Sequence, residues 1–223
     1  MSAEHAGDWL LSIPCRQLGT LLPSTDFRFL LKFRLGISPL SAASTCNSCH
    51  REFSLDADLA GDHALCCVKS GYVRRHYVLC NHLRYLLTTA GISTSSEVYV
   101  DQRKTLRIDL LATAFGEGVS EALDISITHS LTSRWAENAI AEVESKKILK
   151  YATACRTLGW NFSPIVLDSF GGLGASSLKL MNKVIAKAAQ RSPQPIEATQ
   201  YYWQRLSMAL ARAVARQLVL SMA

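Results

Sequence analysis

RIDLLATAFGEGVSEALDISIT, residues 107–128, decides how this chain folds. Two apolar, β-branched runs, LRIDLLATA (106–114) and EALDISIT (121–128), flank the turn-forming segment FGEGVS. Runs of this kind bounded by glycine and polar residues read as neighbouring antiparallel strands. Each run carries one aspartate among its apolar residues, Asp109 in the first and Asp124 in the second. Strands of one sheet lie roughly 4.8 Å apart, so two such carboxylates can meet at one edge. Upstream, SSEVYV (95–100) and the polar turn DQRKT extend the pair to a three-stranded meander. Downstream, AENAIAEVESKKILKY (136–151) belongs to a helix expected from about Ser133 to Leu158, with Gly159 as its stop.

Further outward, GYVRRHYVLCNHLRYLLTTAG (71–91) reads as a helix ended by Gly91. Val73, Tyr77, Leu79, Cys80, Leu83, Leu86 and Leu87 form its apolar stripe, which leaves Arg74, Arg75, His76, His82 and Arg84 for the surface, where basic groups can hold phosphates. FSPIVLDSF (162–170) is a fourth strand, followed by the turn GGLG (171–174) and a helix. SPQP (192–195) is a linker, and residues 196–222 form an amphipathic helix. Near the start, STDFRFLLKFRLG (24–36) predicts a helix capped by Ser24, Thr25 or Asp26, stopped by Gly36, with Phe27, Leu30, Leu31 and Leu35 on its buried face. The order from residue 71 is α, β, β, β, α, β, α, α, an α/β fold.

Two carboxylates and a lysine at one point are the minimum for cutting a phosphodiester with a divalent metal. Asp109 and Asp124 can share Mg2+ or Mn2+, hard cations that prefer oxygen. The metal activates a water and neutralises phosphate charge, and a lysine ammonium stabilises the transition state. In the simplest arrangement the lysine follows the second carboxylate by two residues, but Ser126 stands there. The following helix offers Lys146, Lys147 and Lys150, of which only one face can point at the strands. Glu97 is a candidate third ligand. The plainer alternatives are hydrogen-bonded strand aspartates, a solvated lysine face, and Glu97, Glu142 and Glu144 as surface residues. GGLG resembles a phosphate cradle but lacks the spacing and lysine of a P-loop.

CNSCHREFSLDADLAGDHALCC (46–67) carries a second chemistry. Cys46 and Cys49 have the C-x2-C spacing that wraps a turn around one metal, and His63 follows after thirteen residues. His63 and Cys67 are one helical turn apart, so the set Cys46, Cys49, His63 and Cys67 supplies the tetrahedral S/N ligands that structural Zn2+ prefers. His50 and Cys66 are substitutes within the same stretch.

Bulk properties agree with an intracellular globular protein. Of 223 residues, 48% are hydrophobic and 19% charged, which excludes a disordered chain. The 24 Lys+Arg against 18 Asp+Glu leave +6, which suits a polyanionic partner. Asp8, Arg16, Asp26 and Arg28 interrupt any secretory signal, and no uncharged apolar run of about 18 residues exists to span a membrane. Seven cysteines in such a chain read as thiols and metal ligands, placing it in the cytoplasm or nucleus.

Taken together, these residues resemble the C-terminal region of reverse-transcriptase polyproteins from site-specific non-LTR retrotransposons, where a CCHC zinc knuckle precedes a restriction-like endonuclease of the PD-(D/E)XK superfamily. CNSC (46–49) and GDHALCC (61–67) are similar to the knuckle, and Arg75-His76 to an Arg-His pair on the family's basic helix. Arg107-Ile108-Asp109 resembles its Lys/Arg-Pro-Asp strand, with isoleucine in the proline position, and Asp124 follows after fourteen residues. Lys147-Ile148-Leu149-Lys150-Tyr151 resembles the family's K-x2-K-Y helix with its migrated lysine. The resemblance covers roughly residues 9–185 and implies a helical and zinc-knuckle module (1–70), a restriction-endonuclease-like α-β-β-β-α-β domain (71–191) and a C-terminal helix (196–223). It implies a metal-dependent endonuclease acting on DNA, with RNA left open, that is a fragment or domesticated remnant of the polyprotein. The rivals are a nucleic-acid-binding remnant without chemistry, and an interaction module presenting a broad apolar face on the 196–222 helix.

Overall fold

The computed structural model describes residues 4–38, 44–53, 60–67, 69, 72–129 and 139–222. In chain order these form α1 (Ser24–Arg34), the short strands β1 (Ser44–Thr45) and β2 (Glu52–Phe53), α2 (Ala60–Cys66), α3 (Tyr72–Thr89), β3 (Ser93–Tyr99), β4 (Arg107–Gly116), β5 (Val119–Thr128), α4 (Ala139–Thr157), β6 (Asn161–Asp168), α5 (Ala175–Ala189) and α6 (Pro195–Met222). Residues 133–138 of the long helix expected ahead of Gly159 lie outside the described residues.

The main sheet has the order β3-β4-β5-β6. The first three strands are antiparallel neighbours, and β6 runs parallel to β5 after the α4 crossover. The β4–β5 hairpin closes through Glu117 and Gly118, both at positive φ (50° and 79°), the two-residue turn whose twist matches that of the strands. Residues 121–125 of β5 are all buried, because helices cover both sheet faces. Leu123 and Ile125 enter the main core with α3, α5 and α6, whereas Ala122 joins a smaller cluster with Tyr151 and Cys155 of α4.

α6 is central. Trp203, Leu206, Leu210, Val214 and Leu218 are buried in the main core, and the helix packs on α1, α2, α3 and α5. The broad apolar face that an interaction module would present is therefore covered; of the described large apolar residues in α6, Ile196 and Leu220 stay exposed. This packing also overturns two surface assignments on α3, since Arg75 and His82 are buried. Arg75 donates to Leu65 O (3.3 Å) and Ser169 Oγ (3.4 Å), tying α3 to α2 and to the turn after β6. α1 is rotated from the expected face: Asp26, Leu30 and Phe33 are buried, while Phe27 and Leu35 are exposed. Its N-cap is Pro23, with no side-chain cap.

Glu144, read as solvated, is buried and reaches from α4 to the start of α5. Its Oε1 accepts from the Ser177 hydroxyl (2.9 Å) and the Ser177 N–H (3.3 Å). The N-cap of α5 is Gly174, which has no side chain to cap the helix, so Glu144 supplies the acceptor and negative charge its N-terminus favours. A Cβ on Gly174 would stand 2.1 Å from Glu144 Oε1, so GGLG is shaped by packing against the protein. Glu144→Ala is expected to lower the unfolding free energy by about 1–3 kcal/mol, because it strips an acceptor from buried donors. Urea unfolding monitored by circular dichroism measures this, and an unchanged midpoint would refute the capping role.

Candidate active site

Strand alternation decides where Asp124 points. Leu123 and Ile125 face the main core, so Asp124 turns to the other face, under α4. There the Lys147 ammonium forms an ion pair with Asp124 Oδ2. Asp124 is buried, with its side chain 8% exposed, and Lys147 is 18% exposed, so little water screens the pair. Of the three candidate lysines, Lys147 is the one the helix delivers onto the carboxylate. Lys150 lies with its ammonium 4.7 Å from the Tyr151 ring centroid, and Lys146 pairs outward with Glu142 at 2.6 Å.

Asp109 stands one residue beyond Leu110↔Leu123, the last paired position of the β4–β5 ladder. Its Oδ2 accepts the Ile125 N–H (2.6 Å), so the side chain continues the inter-strand bonding where the backbone ladder ends. The same oxygen accepts from His76 Nε2 (3.0 Å), contributed by α3. Asp109 and Asp124 thus sit on adjoining strands, one held from α3 and the other from α4.

Their electrostatics diverge. Burial pushes the Asp109 carboxyl up, but the bonds from His76 and the Ile125 N–H outweigh it and hold it below the usual carboxylate range. Burial dominates at Asp124 and raises its carboxyl despite Lys147, with the Asp109 charge acting in the same direction. His76 is raised, first by its hydrogen bond to Asp109, against the opposing effect of burial. One turn along α3, Cys80 Sγ lies 3.6 Å from His76, and burial with the charges of Asp109 and Asp124 lifts its thiol to about 12. The ligand atoms of His76, Cys80 and Asp109 lie within 4.8 Å of one another, close enough to hold a metal.

The His76–Asp109 pair has a defined pH window. Because His76 is raised, its contribution is complete below the ordinary imidazole value of about 6.5 and fades as pH climbs through the raised value. Because Asp109 is lowered, its contribution is present above about 3.9 and is lost as pH falls through the lowered value. His76→Gln is therefore expected to destabilise most between about pH 4 and 6.5 and less on either side. Urea unfolding of both proteins across pH checks this; a difference independent of pH would exclude the ion pair.

Glu97 is not gathered into the site. It falls between the paired positions Ser96↔Leu110 and Val98↔Ile108, level with Asp109. Its φ is 54°, and its carboxylate accepts from Arg107 (3.3 Å) and the Tyr77 hydroxyl (3.4 Å). His76 is the functional candidate that periodicity undervalued. The available signal was the Arg75-His76 pair and the one-turn spacing of His76 and Cys80.

The second site forms between the β1–β2 hairpin and α2. The donor atoms of Cys46, Cys49, His63 and Cys67 lie within 4.8 Å of one another, a group that could hold a structural metal such as zinc. Cys46 N donates to Arg51 O (2.8 Å) and His50 N to Cys46 O (2.7 Å), with His50 at positive φ, which folds the chain around the thiols. Cys67 N donates to His63 O (2.7 Å), which keeps both residues on one helical turn. The substitutes His50 and Cys66 are exposed. Burial opposes ionisation of Cys46, but the N–H groups of Cys49 and Ser48 pull its thiol down, whereas burial leaves that of Cys67 raised.

No family model matches this chain, and no curated protein matches it either. Among the described residues, no helix is long and apolar enough to cross a membrane.

Proposed function

We propose that this chain is a metal-dependent endonuclease that hydrolyses DNA phosphodiesters, built on a restriction-endonuclease-like core and derived from a retroelement reverse-transcriptase polyprotein. One observation carries the reading. Asp109 and Asp124 occupy adjoining strands just past the end of a ladder, and a lysine from the next helix already places its cation on one of them. Two hard carboxylates in that position fit Mg2+ or Mn2+, which when bound supplies Lewis-acid activation of water and phosphate. His76 and the Ile125 N–H fix Asp109 in one orientation. Lys147, on releasing Asp124, would offer its ammonium to negative charge developing on the phosphate. Cys46, Cys49, His63 and Cys67 would hold Zn2+ with four protein ligands, a closed structural set. A chain of this kind works in the nucleus or cytoplasm, with DNA as partner and RNA as the second candidate.

The second reading is a nucleic-acid-binding remnant that has lost its chemistry. The engagement of Glu97 with Arg107 favours it, because Glu97 then does not join the pair as a third carboxylate. Plasmid nicking with Mg2+ or Mn2+, run beside Asp124→Ala, decides between them. Metal-dependent nicking absent from the variant supports the nuclease; DNA binding without nicking in both proteins supports the remnant.

A further inference from the structure

On α3, positions 74, 75, 78, 81, 82 and 85 recur at helical spacing and form a face directed away from His76. Together with α6 and the segment at Gly19, this face encloses a cavity of about 410 Å³. Five arginines line it (Arg74, Arg75, Arg205, Arg212 and Arg216), and among the described lining residues there is no aspartate or glutamate. Arg205 is anchored on Leu18 O, and Arg212 on Gly19 O (3.1 Å) and Leu21 O (2.8 Å). These carbonyls fix the guanidiniums without cancelling their charge. Burial, then repulsion from Arg216 and Arg205, holds Arg212 below its ordinary value against the opposing charge of Asp26, which lies outside the lining.

Two side chains of the wall are themselves buried. Arg75 is 5% exposed and His82 9%, yet Arg75 Nε and His82 Nε2 have no hydrogen-bond partner among the described residues. Both atoms are sealed off from the cavity itself, so the attraction for an anion rests on the exposed guanidiniums of the wall, Arg74 and Arg216. Burial and the nearby Arg205 push His82 down to about 4, so at neutral pH it is an uncharged imidazole and adds no charge to the wall.

The rest of the wall is apolar. Val78, Ala209, Ala213 and Leu220 line it beside Tyr85, whose ring lies 5.8 Å from the Arg205 guanidinium. A bare phosphate would leave this half of the cavity unfilled. A nucleotide uses both halves: its phosphate meets the arginines and its base stacks on the aromatic ring. The volume lies in the range of small-molecule sites.

We propose that this cavity binds a nucleotide through its phosphate and base, supplied either as a free nucleotide or as the phosphorylated end of a nucleic-acid strand. The inference stands on the cavity alone and does not require Asp109 or Asp124 to be catalytic.

The test is calorimetric titration of the full chain at low salt without Mg2+, so that the carboxylate site does not contribute. The probes are ADP, adenosine, pyrophosphate, and a short single-stranded oligonucleotide with and without a 5′-phosphate. ADP should bind saturably and adenosine should not. Arg74→Gln combined with Arg216→Gln removes two exposed guanidiniums and should weaken ADP binding by about tenfold or more, while thermal melting shows the fold intact. Preference for the phosphorylated oligonucleotide over ADP identifies a strand end, and the reverse identifies a free nucleotide. The proposal is overturned if no probe saturates, if the double variant binds as the native chain does, or if adenosine or pyrophosphate binds as tightly as ADP. None of these outcomes bears on nicking, so the two readings fail separately.

Discussion

Asp124→Asn should reduce metal-dependent nicking by about two to three orders of magnitude, the scale on which a preorganised electrostatic group acts on a developing charge. Asparagine keeps the shape of the side chain and removes the charge that faces Lys147 and the proposed cation. The fold should suffer far less than the activity. Burial already disfavours the ionised carboxylate, so neutralising it relieves a desolvation cost while the partly exposed Lys147 regains water. Lys147→Met gives the complementary result: retained DNA binding, weakened nicking, and a carboxylate open to a cation. Measuring nicking and melting temperature on the same preparations separates chemistry from stability. Nicking by Asp124→Asn at the native rate would remove the carboxylate pair from consideration.

The other large effect concerns the Cys3His group. Cys46→Ser is expected to abolish zinc retention and lower the melting temperature of the entire chain, not only of its N-terminal part. Structural zinc contributes about 10–16 kcal/mol in small peptides, comparable with the whole stability of a domain. Cys46 is fully buried and belongs to the main core. The turn around it donates Asn47 N to Ser221 O (3.1 Å), and Gln217 Nε2 donates to Ala64 O (2.8 Å), so the module grips the end of α6. Asp62, next to His63, bonds His129 at the end of β5 (2.8 Å). Elemental analysis should find one zinc per chain, and a chelator should reproduce the melting shift. Native protein that carries no zinc and melts unchanged with chelator would refute the assignment.

Strand and helix limits were legible because glycines mark them. Gly91, Gly118 and Gly159 all take positive φ, which side-chain-bearing residues rarely adopt, and each stands where a helix or strand was expected to stop or turn. The placement of Asp109 and Asp124 on neighbouring strands was legible because a charge within an apolar run is conspicuous. Cys46, Cys49, His63 and Cys67 were legible from spacing. His76, Glu144 and Arg75 were misread for one cause, a partner remote in sequence. His76 finds Asp109 thirty-three residues on, and Glu144 finds Ser177 at the same separation. Arg75 bonds Ser169, ninety-four residues away. Glu144 lies between Glu142 and Lys146, which do form a solvated pair, so its neighbours suggested the wrong environment. Glu97, for which the sequence left both a third ligand and a surface residue open, is exposed and pairs with Arg107 from a left-handed backbone that departs from plain strand alternation.

The position of α6 also governs when the protein can fold. Its residues 195–222 close the apolar surfaces of α1, α2, α3 and α5, all of which are synthesised earlier. At about 5–20 residues per second, the emerging chain carries those surfaces uncovered for seconds before α6 arrives. The N-terminal helices therefore cannot complete their packing as each leaves the ribosome. The contacts that α6 makes with them form only after residue 195 has been made, and metal capture by Cys46, Cys49, His63 and Cys67 would order the N-terminal part before then.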